Sequence, residues 1–148
     1  MHKEIFIIGV GGQGVLTMGE ILMIASKNKN YSATLYPFYG SQMRGGETGC
    51  IVKIDTDGNR ILNPTINSPD DFIILDDKFF DKYKKFENAN SKYYKLENVR
   101  DKDLNIIMLK KYILDTKLFD EETIIESIKL KFRKEVVYNA KIEKWNKS

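Results

Sequence analysis

The apolar positions fall into short blocks whose period changes along the chain. Ile5-Phe6-Ile7-Ile8 is a continuous apolar run ending in glycines, the pattern of a strand buried on both faces. Val15, Met18, Ile21, Leu22 and Ala25 follow at helical spacing and form one stripe. The opening is therefore read as strand, glycine turn, helix. Ser32-Ala33-Thr34-Leu35-Tyr36 is expected to be a second strand, stopped by Pro37. Gly49-Cys50-Ile51-Val52-Lys53-Ile54 and Arg60-Ile61-Leu62 are expected to pair across Asp55-Thr56-Asp57-Gly58-Asn59, whose Asp-Gly step favours a hairpin. Phe72-Ile73-Ile74-Leu75 is another buried strand, closed by Asp76-Asp77. Residues 79–86 predict a short helix, and 92–97 a short strand.

The last third reads as helical. Ile106, Leu109, Ile113 and Leu114 share a face. Asp120 suits an N-cap, with Glu121 and Glu122 in the first turn, where negative charge meets the positive end of the helix dipole. Ile124, Ile125, Ile128 and Phe132 carry that helix inward, and a final segment over 135–145 carries Val136, Val137 and Ala140. Strands alternating with helices predict an α/β fold. Three α/β/α layers are expected around a mixed, mostly parallel sheet, with residues 1–148 as a single domain.

Length and composition narrow the classes. A chain of 148 residues that is 42% hydrophobic can build its own core. No apolar stretch approaches the roughly 20 residues of a membrane span, so no membrane partner is expected. Met1-His2-Lys3-Glu4 leads straight into the first strand without a leader pattern, and a reducing, cytoplasmic setting is expected. Cys50 is the only cysteine and His2 the only histidine. An intrachain disulfide, a four-ligand zinc site and an iron–sulfur cluster held by this chain alone are thereby excluded. Cys50 lies in an apolar strand, where a buried small hydrophobe is its ordinary role. Asp70-Asp71 and Asp76-Asp77 are expected to bound strands rather than hold a cation.

The formal charge of +3 is uneven. Residues 1–77 carry 6 basic and 9 acidic side chains, and residues 78–148 carry 18 and 12. The basic half is interleaved with acid, as in Lys82-Tyr83-Lys84-Lys85-Phe86-Glu87, and suits a solvated surface better than a nucleic-acid patch. Nine of the ten glycines precede residue 50, so unusual backbone is concentrated in the first half.

Two glycine segments carry the candidate chemistry. Gly9-Val10-Gly11-Gly12-Gln13-Gly14 fits G-x-G-x-x-G between a strand and a helix. Free N–H groups at a helix start could hold a diphosphate there, with Gly11, Gly12, Gln13 and Gly14 as binding residues. The acid that a dinucleotide site wants at the end of the next strand is missing, since that place reads Thr34-Leu35-Tyr36-Pro37. No Lys-Ser/Thr follows, so a P-loop is excluded as well. The same loop could equally serve only to pack the helix against its strand. Gln13 could donate to an oxyanion or brace the loop.

The second segment is Tyr39-Gly40-Ser41-Gln42-Met43-Arg44-Gly45-Gly46-Glu47-Thr48-Gly49. Arg44, flanked by Gly45 and Gly46, could fork onto a phosphate or carboxylate, or satisfy loop carbonyls. Tyr39, Gly40 and Gln42 are interface or loop candidates. Tyr39 could stack on a base or anchor the loop.

Taken together, Gly9 through Val15 and Tyr36-Pro37-Phe38-Tyr39-Gly40-Ser41-Gln42-Met43-Arg44-Gly45-Gly46 resemble the gamma subunit of 2-oxoacid:ferredoxin oxidoreductases, equivalent to domain III of pyruvate:ferredoxin oxidoreductase. Ile61-Leu62-Asn63-Pro64-Thr65-Ile66, Ser68-Pro69-Asp70, Asn105-Ile106-Ile107-Met108-Leu109 and Asn139 also match that family's pattern. The stretch between Asp77 and Asn105 is shorter than usual, Lys110 stands where a Gly is common, and Phe38 replaces a small residue. The Tyr-Gly-x-x-x-Arg-Gly-Gly form is similar to the 2-oxoglutarate and branched-chain members.

The resemblance implies CoA-dependent oxidative decarboxylation of a 2-oxoacid, with electrons passed to ferredoxin. It implies a non-autonomous subunit without catalytic residues of its own. Thiamine diphosphate and iron–sulfur clusters would sit on alpha, beta and ferredoxin-like delta partners, and coenzyme A is the one ligand this chain could touch. Thr56-Asp57-Gly58 lacks the leading Gly of a thiamine motif. A stand-alone nucleotide-binding or docking module is the alternative.

Overall fold

The computed structural model describes residues 1–40, 46–97 and 99–148. Five strands form one sheet: β1 (His2–Val10), β2 (Ser32–Tyr39), β3 (Glu47–Asp55), β4 (Asp71–Ile74) and β5 (Lys92–Lys95). Their spatial order is β2-β3-β1-β4-β5. β3 runs antiparallel to both β1 and β2, while β1, β4 and β5 pair in parallel. The sheet is thus mixed, with β3 alone reversed. The helices are α1 (Val15–Asn28), α2 (Leu104–Thr116), α3 (Glu121–Phe132) and α4 (Glu135–Lys147).

Alternation along the strands divides the core in two. Ile5 and Ile7, Cys50, Val52 and Ile54, and Ile73 pack under the helices. Phe6 and Ile8, Ile51, Phe72 and Ile74 face the other way, against Phe80. Both faces of β1, β3 and β4 are therefore buried, which accounts for their unbroken apolar runs. All four α-helices lie on one face. The layer on the opposite face is a 3-10 helix, Phe80–Phe86, together with the extended segment 59–70.

Several expectations are corrected. β2 does not stop at Pro37 but continues to Tyr39, with Pro37 opposite Cys50. β2 is an edge strand, and the Gly40 N–H donates to the Glu47 carbonyl at 2.8 Å. Antiparallel alternation then turns Pro37 toward the open side, where a missing N–H breaks no ladder bond. The expected strand at Arg60–Leu62 does not form. The turn is present, with the Gly58 N–H on the Asp55 carbonyl at 3.2 Å. Both edges of β3 are already taken, however, by β1 and β2, so the chain leaves the turn and crosses the sheet instead. Leu62 is 81% exposed.

Among the helices, Leu114 is half exposed and Val136 and Ala140 point to solvent. α4 is seated instead by Trp145, which is fully buried and donates from Nε1 to Glu121 at 3.1 Å. Asp120 does occupy the N-cap position of α3, but its carboxylate accepts the Thr123 hydroxyl rather than a backbone N–H.

Buried polar groups tie the layers together. The Lys53 ammonium lies 3.3 Å from Glu4 and donates to the Asn63 carbonyl at 2.6 Å. The other Glu4 oxygen accepts the Asn67 N–H at 2.9 Å. This pair pins the 59–70 segment onto the sheet. On the helical side, Tyr112 donates to Asp71 at 2.6 Å, and Lys3 lies 3.0 Å from the same carboxylate. Burial, and then the Asp71 charge, hold the Tyr112 phenol well above its usual pKa. Asp70 accepts the Glu4 N–H at 2.7 Å. Each of these carboxylates has a protein donor, as has Asp77, which Lys95 reaches at 2.5 Å. No helix among the described residues is long and apolar enough to cross a membrane.

Two outcomes follow. Lys53→Met leaves a buried carboxylate unpaired and is expected to cost about 3–5 kcal/mol in urea unfolding. Adding Glu4→Leu should recover only part of the loss, because the Asn67 N–H still lacks its acceptor. Burial pushes the Cys50 thiol up to about 12. It should resist aromatic disulfide reagents at pH 8 until the chain is unfolded. The folded thiol holds its proton more tightly than the unfolded one. Stability should therefore fall as pH climbs from the ordinary 9.0 toward about 12.

Candidate functional site

The reversed direction of β3 builds the site. Its first residue, Glu47, stands opposite Val10, the last residue of β1. The end of the second glycine segment thus arrives beside the first glycine loop. The Gly11 N–H donates to the Gly46 carbonyl at 3.0 Å and joins the two. Both lie at the carboxyl ends of β1, β2, β4 and β5, the end of an open α/β sheet where ligands collect.

The loop is held from several sides. Gln13 Oε1 accepts the Val10 N–H at 2.8 Å, and its Nε2 donates to the Leu75 carbonyl at 3.4 Å. Gln13 thus braces β1 against the residue that follows β4, and this brace uses one of its two amide N–H donors. Asn105 Nδ2 donates to the Gly14 carbonyl at 3.3 Å, while its Oδ1 accepts the Ile106 N–H at 3.0 Å. This one side chain ties the start of α2 to the start of α1.

Gly14 caps α1 in the left-handed region at φ 77°. A Cβ there would stand 2.4 Å from Asn105 Nδ2, so glycine is required twice over. Gly12, at φ 90°, is different: nothing lies within 4 Å of the place a Cβ would take. That open side meets a cavity of about 170 Å³ bounded by Gly12, Gly14, Thr17, Lys102, Asn105 and Lys141. Met18 N–H bonds back to the Gly14 carbonyl, which leaves the N–H groups of Val15, Leu16 and Thr17 ahead of the helical ladder. Bare backbone, the positive end of a 14-residue helix and the Lys102 ammonium suit an anion, while Lys141 is already paired with the buried Asp103 at 2.5 Å. A neighbouring polar cleft past β4 and β5 also carries cations, among them Arg100. Its Lys95 is paired with Asp77, whose carboxyl is held below the usual range by that contact.

Gly11, Gly12, Gln13, Gly14, Gly40 and Gly46 are brought to one end of the sheet. Tyr39 stands on the rim of a different cavity. Arg44, Gly45 and Gln42 lie outside the described residues. Sequence reasoning passed over Glu47, although it is the one acid in the second glycine segment. Its side chain is buried, and its carboxylate accepts from the Tyr83 hydroxyl and from the Lys82 ammonium on the 3-10 helix. Lys102 and Lys141 were also missed, since only the fold carries them to the first loop.

Residues 4–99 match the family of pyruvate ferredoxin/flavodoxin oxidoreductases. The chain belongs to that family. It is 38% identical over 77 residues to ketoisovalerate oxidoreductase subunit VorA of Methanothermobacter thermautotrophicus, covering 52% of this chain and 16% of that protein. It is 36% identical over 85 residues to 2-oxoglutarate synthase subunit KorC of Methanocaldococcus jannaschii, covering 57% and 44%. The chain thus matches less than half the length of these relatives.

The gamma subunit of a keto/oxoacid ferredoxin oxidoreductase from Geobacter sulfurreducens has the same fold. Its TM-score is 0.73 at 20% identity, over 99% of this chain and 93% of that one. The 2-oxoglutarate:ferredoxin oxidoreductase of Magnetococcus marinus, solved with 2-oxoglutarate, coenzyme A and succinyl-CoA bound, matches at 0.70 and 15% identity. That match takes in 99% of this chain and 30% of the other.

Gly14→Ala should destabilise the chain by about 1–3 kcal/mol, through a side chain at positive φ and the crowding of Asn105. Gly14→Ala/Asn105→Ala should recover only the crowding part, as read by thermal unfolding of the two variants side by side.

Proposed function

We propose that this chain is the gamma subunit of a 2-oxoacid:ferredoxin oxidoreductase, of the 2-oxoglutarate synthase type. The complex would convert a 2-oxoacid and coenzyme A to an acyl-CoA and CO2, with the electrons passing to ferredoxin. The observation that supports this reading is the Gly11–Gly46 hydrogen bond, which sets the described end of the second glycine segment against the first glycine loop. Family membership and the KorC similarity agree with it.

The division of labour follows from the residues. Thiamine diphosphate and iron–sulfur clusters supply carbanion stabilisation and electron transfer. The one buried cysteine here cannot hold a cluster, and in this reading the clusters and thiamine diphosphate would sit on alpha, beta and ferredoxin-like delta partners. This chain's part is to offer main-chain N–H groups at the start of α1 to an anionic group of coenzyme A. Lys102 adds positive charge, Lys141 being held by Asp103, and Gln13 and Asn105 keep the loop in shape. Arg44, Gly45 and Gly46 would meet the catalytic subunits.

The test is co-expression with the neighbouring thiamine-binding and Cys-rich subunits. The purified complex should reduce viologen dye only when coenzyme A and a 2-oxoacid are both present. 2-Oxoglutarate should outpace 2-oxoisovalerate and pyruvate, and this chain alone should show no turnover. Full CoA-dependent activity in a complex lacking this subunit would defeat the proposal. Gly12→Val should raise KM for coenzyme A at least about tenfold, because its side chain would enter the open side beside Gly12 and a β-branched residue is strained at φ 90°. A structural adaptor would lose assembly instead, with KM unchanged in whatever complex remained.

A further inference from the structure

The second face of the sheet is incompletely covered. The 3-10 helix lies over one part and the 59–70 segment over another. Between them a cavity of about 520 Å³ opens to solvent over the ends of β1, β2 and β3. Its floor is Phe6, Phe38 and Ile51, and its walls include Tyr36, Tyr39 and Tyr83. Tyr36 and Tyr39 are 42% and 67% exposed, so large aromatic faces stand free at the rim.

One charge lies within it. The Glu47 side chain is only 4% exposed, against 56% for its partner Lys82. Lys82 reaches the carboxylate from outside and lies 5.2 Å from the Tyr83 ring centroid. The cavity thus already accepts a cation, by a carboxylate and an aromatic face, from a side chain that solvent can draw away. A guanidinium would fit these features better than the ammonium. It offers two N–H donors to the carboxylate, one to the oxygen that Lys82 leaves and one to the oxygen it shares with the Tyr83 hydroxyl, and it stacks flat on the rings.

The same cavity borders the open edge of β2. By the alternation established above, the backbone groups of Leu35 and Tyr39 and the Pro37 carbonyl face outward there, so an incoming extended chain can pair on either side of Pro37, which offers no N–H. A lone metabolite would leave that edge unused. We propose that this cavity is a docking site for a partner polypeptide, which seats an arginine against Glu47 and displaces Lys82. The inference stands whether or not the chain serves oxidation of a 2-oxoacid.

The test is an NMR titration of the full chain, following the tyrosine ring signals of Tyr36, Tyr39 and Tyr83. The probe is acetyl-Gly-Arg-Gly-amide. Saturable shifts of all three rings are expected, and the citrulline peptide, which has the same shape without the charge, should bind at least about tenfold more weakly. Lys82→Ala should tighten binding several-fold by removing the competitor, and Glu47→Gln should abolish it. If Glu47→Gln fails to fold, Lys82→Ala decides the matter.

Equal binding of arginine and citrulline peptides, or no gain in Lys82→Ala, would overturn the site. Free L-arginine binding more tightly than the peptide would assign it to a metabolite. Repeated in an Arg44→Ala background, the affinity should be unchanged. Binding seen only in that background would give the cavity to this chain's own arginine and refute the partner.

Discussion

Val10 and Glu47 face each other because β3 runs against β1. Were β3 parallel, its first residues would emerge at the far end of the sheet, a strand's length from the Gly9–Gly14 loop. The single reversed strand delivers the second glycine segment to the first, and the Gly11–Gly46 bond fixes the meeting. The same reversal buries Glu47 at the corner, where Tyr83 and Lys82 reach it from the opposite layer. Loop, corner and 3-10 helix are therefore one connected unit.

The parts of the fold legible in the sequence are those set by local burial. Ile5–Ile8 and Phe72–Leu75 announce strands covered on both faces, and the stripe from Val15 to Ala25 announces a helix over them. What stayed hidden depends on neighbours. Pro37 breaks a strand only where its nitrogen must donate, and at the rim of the sheet it need not. The Asp-Gly turn after Asp55 is real, but a hairpin also needs a vacant edge, and β3 has none. Trp145 seats α4 although Val136 and Val137 look the better anchors, because the face that meets the core is the one carrying Tyr138, Ile142 and Trp145.

The candidate site divides the same way. Which residues could form a bare loop was visible from the glycines alone. That Gln13 is a brace could not be read from the sequence, since its two partners, Val10 and Leu75, stand at the ends of different strands. Glu47 gave no hint of burial for a similar reason: its partners come 35 and 36 residues later. Asn105 stands 91 residues from the glycine whose carbonyl it holds. Polar side chains that organise a site across such separations carry no local periodicity to reveal them.

The placement of the one tryptophan has an optical consequence. Trp145 is wholly buried among α2, α3 and α4, on the helical side of the sheet, while Tyr36, Tyr39 and Tyr83 cluster beyond it. Its emission is a private gauge of the helical layer. Loosening of α4 would redden it, and events in the aromatic cavity would leave it dark to them. Tyr94 and Tyr112 share the tryptophan's side of the sheet, so the indole alone, and not the phenols, distinguishes the two layers.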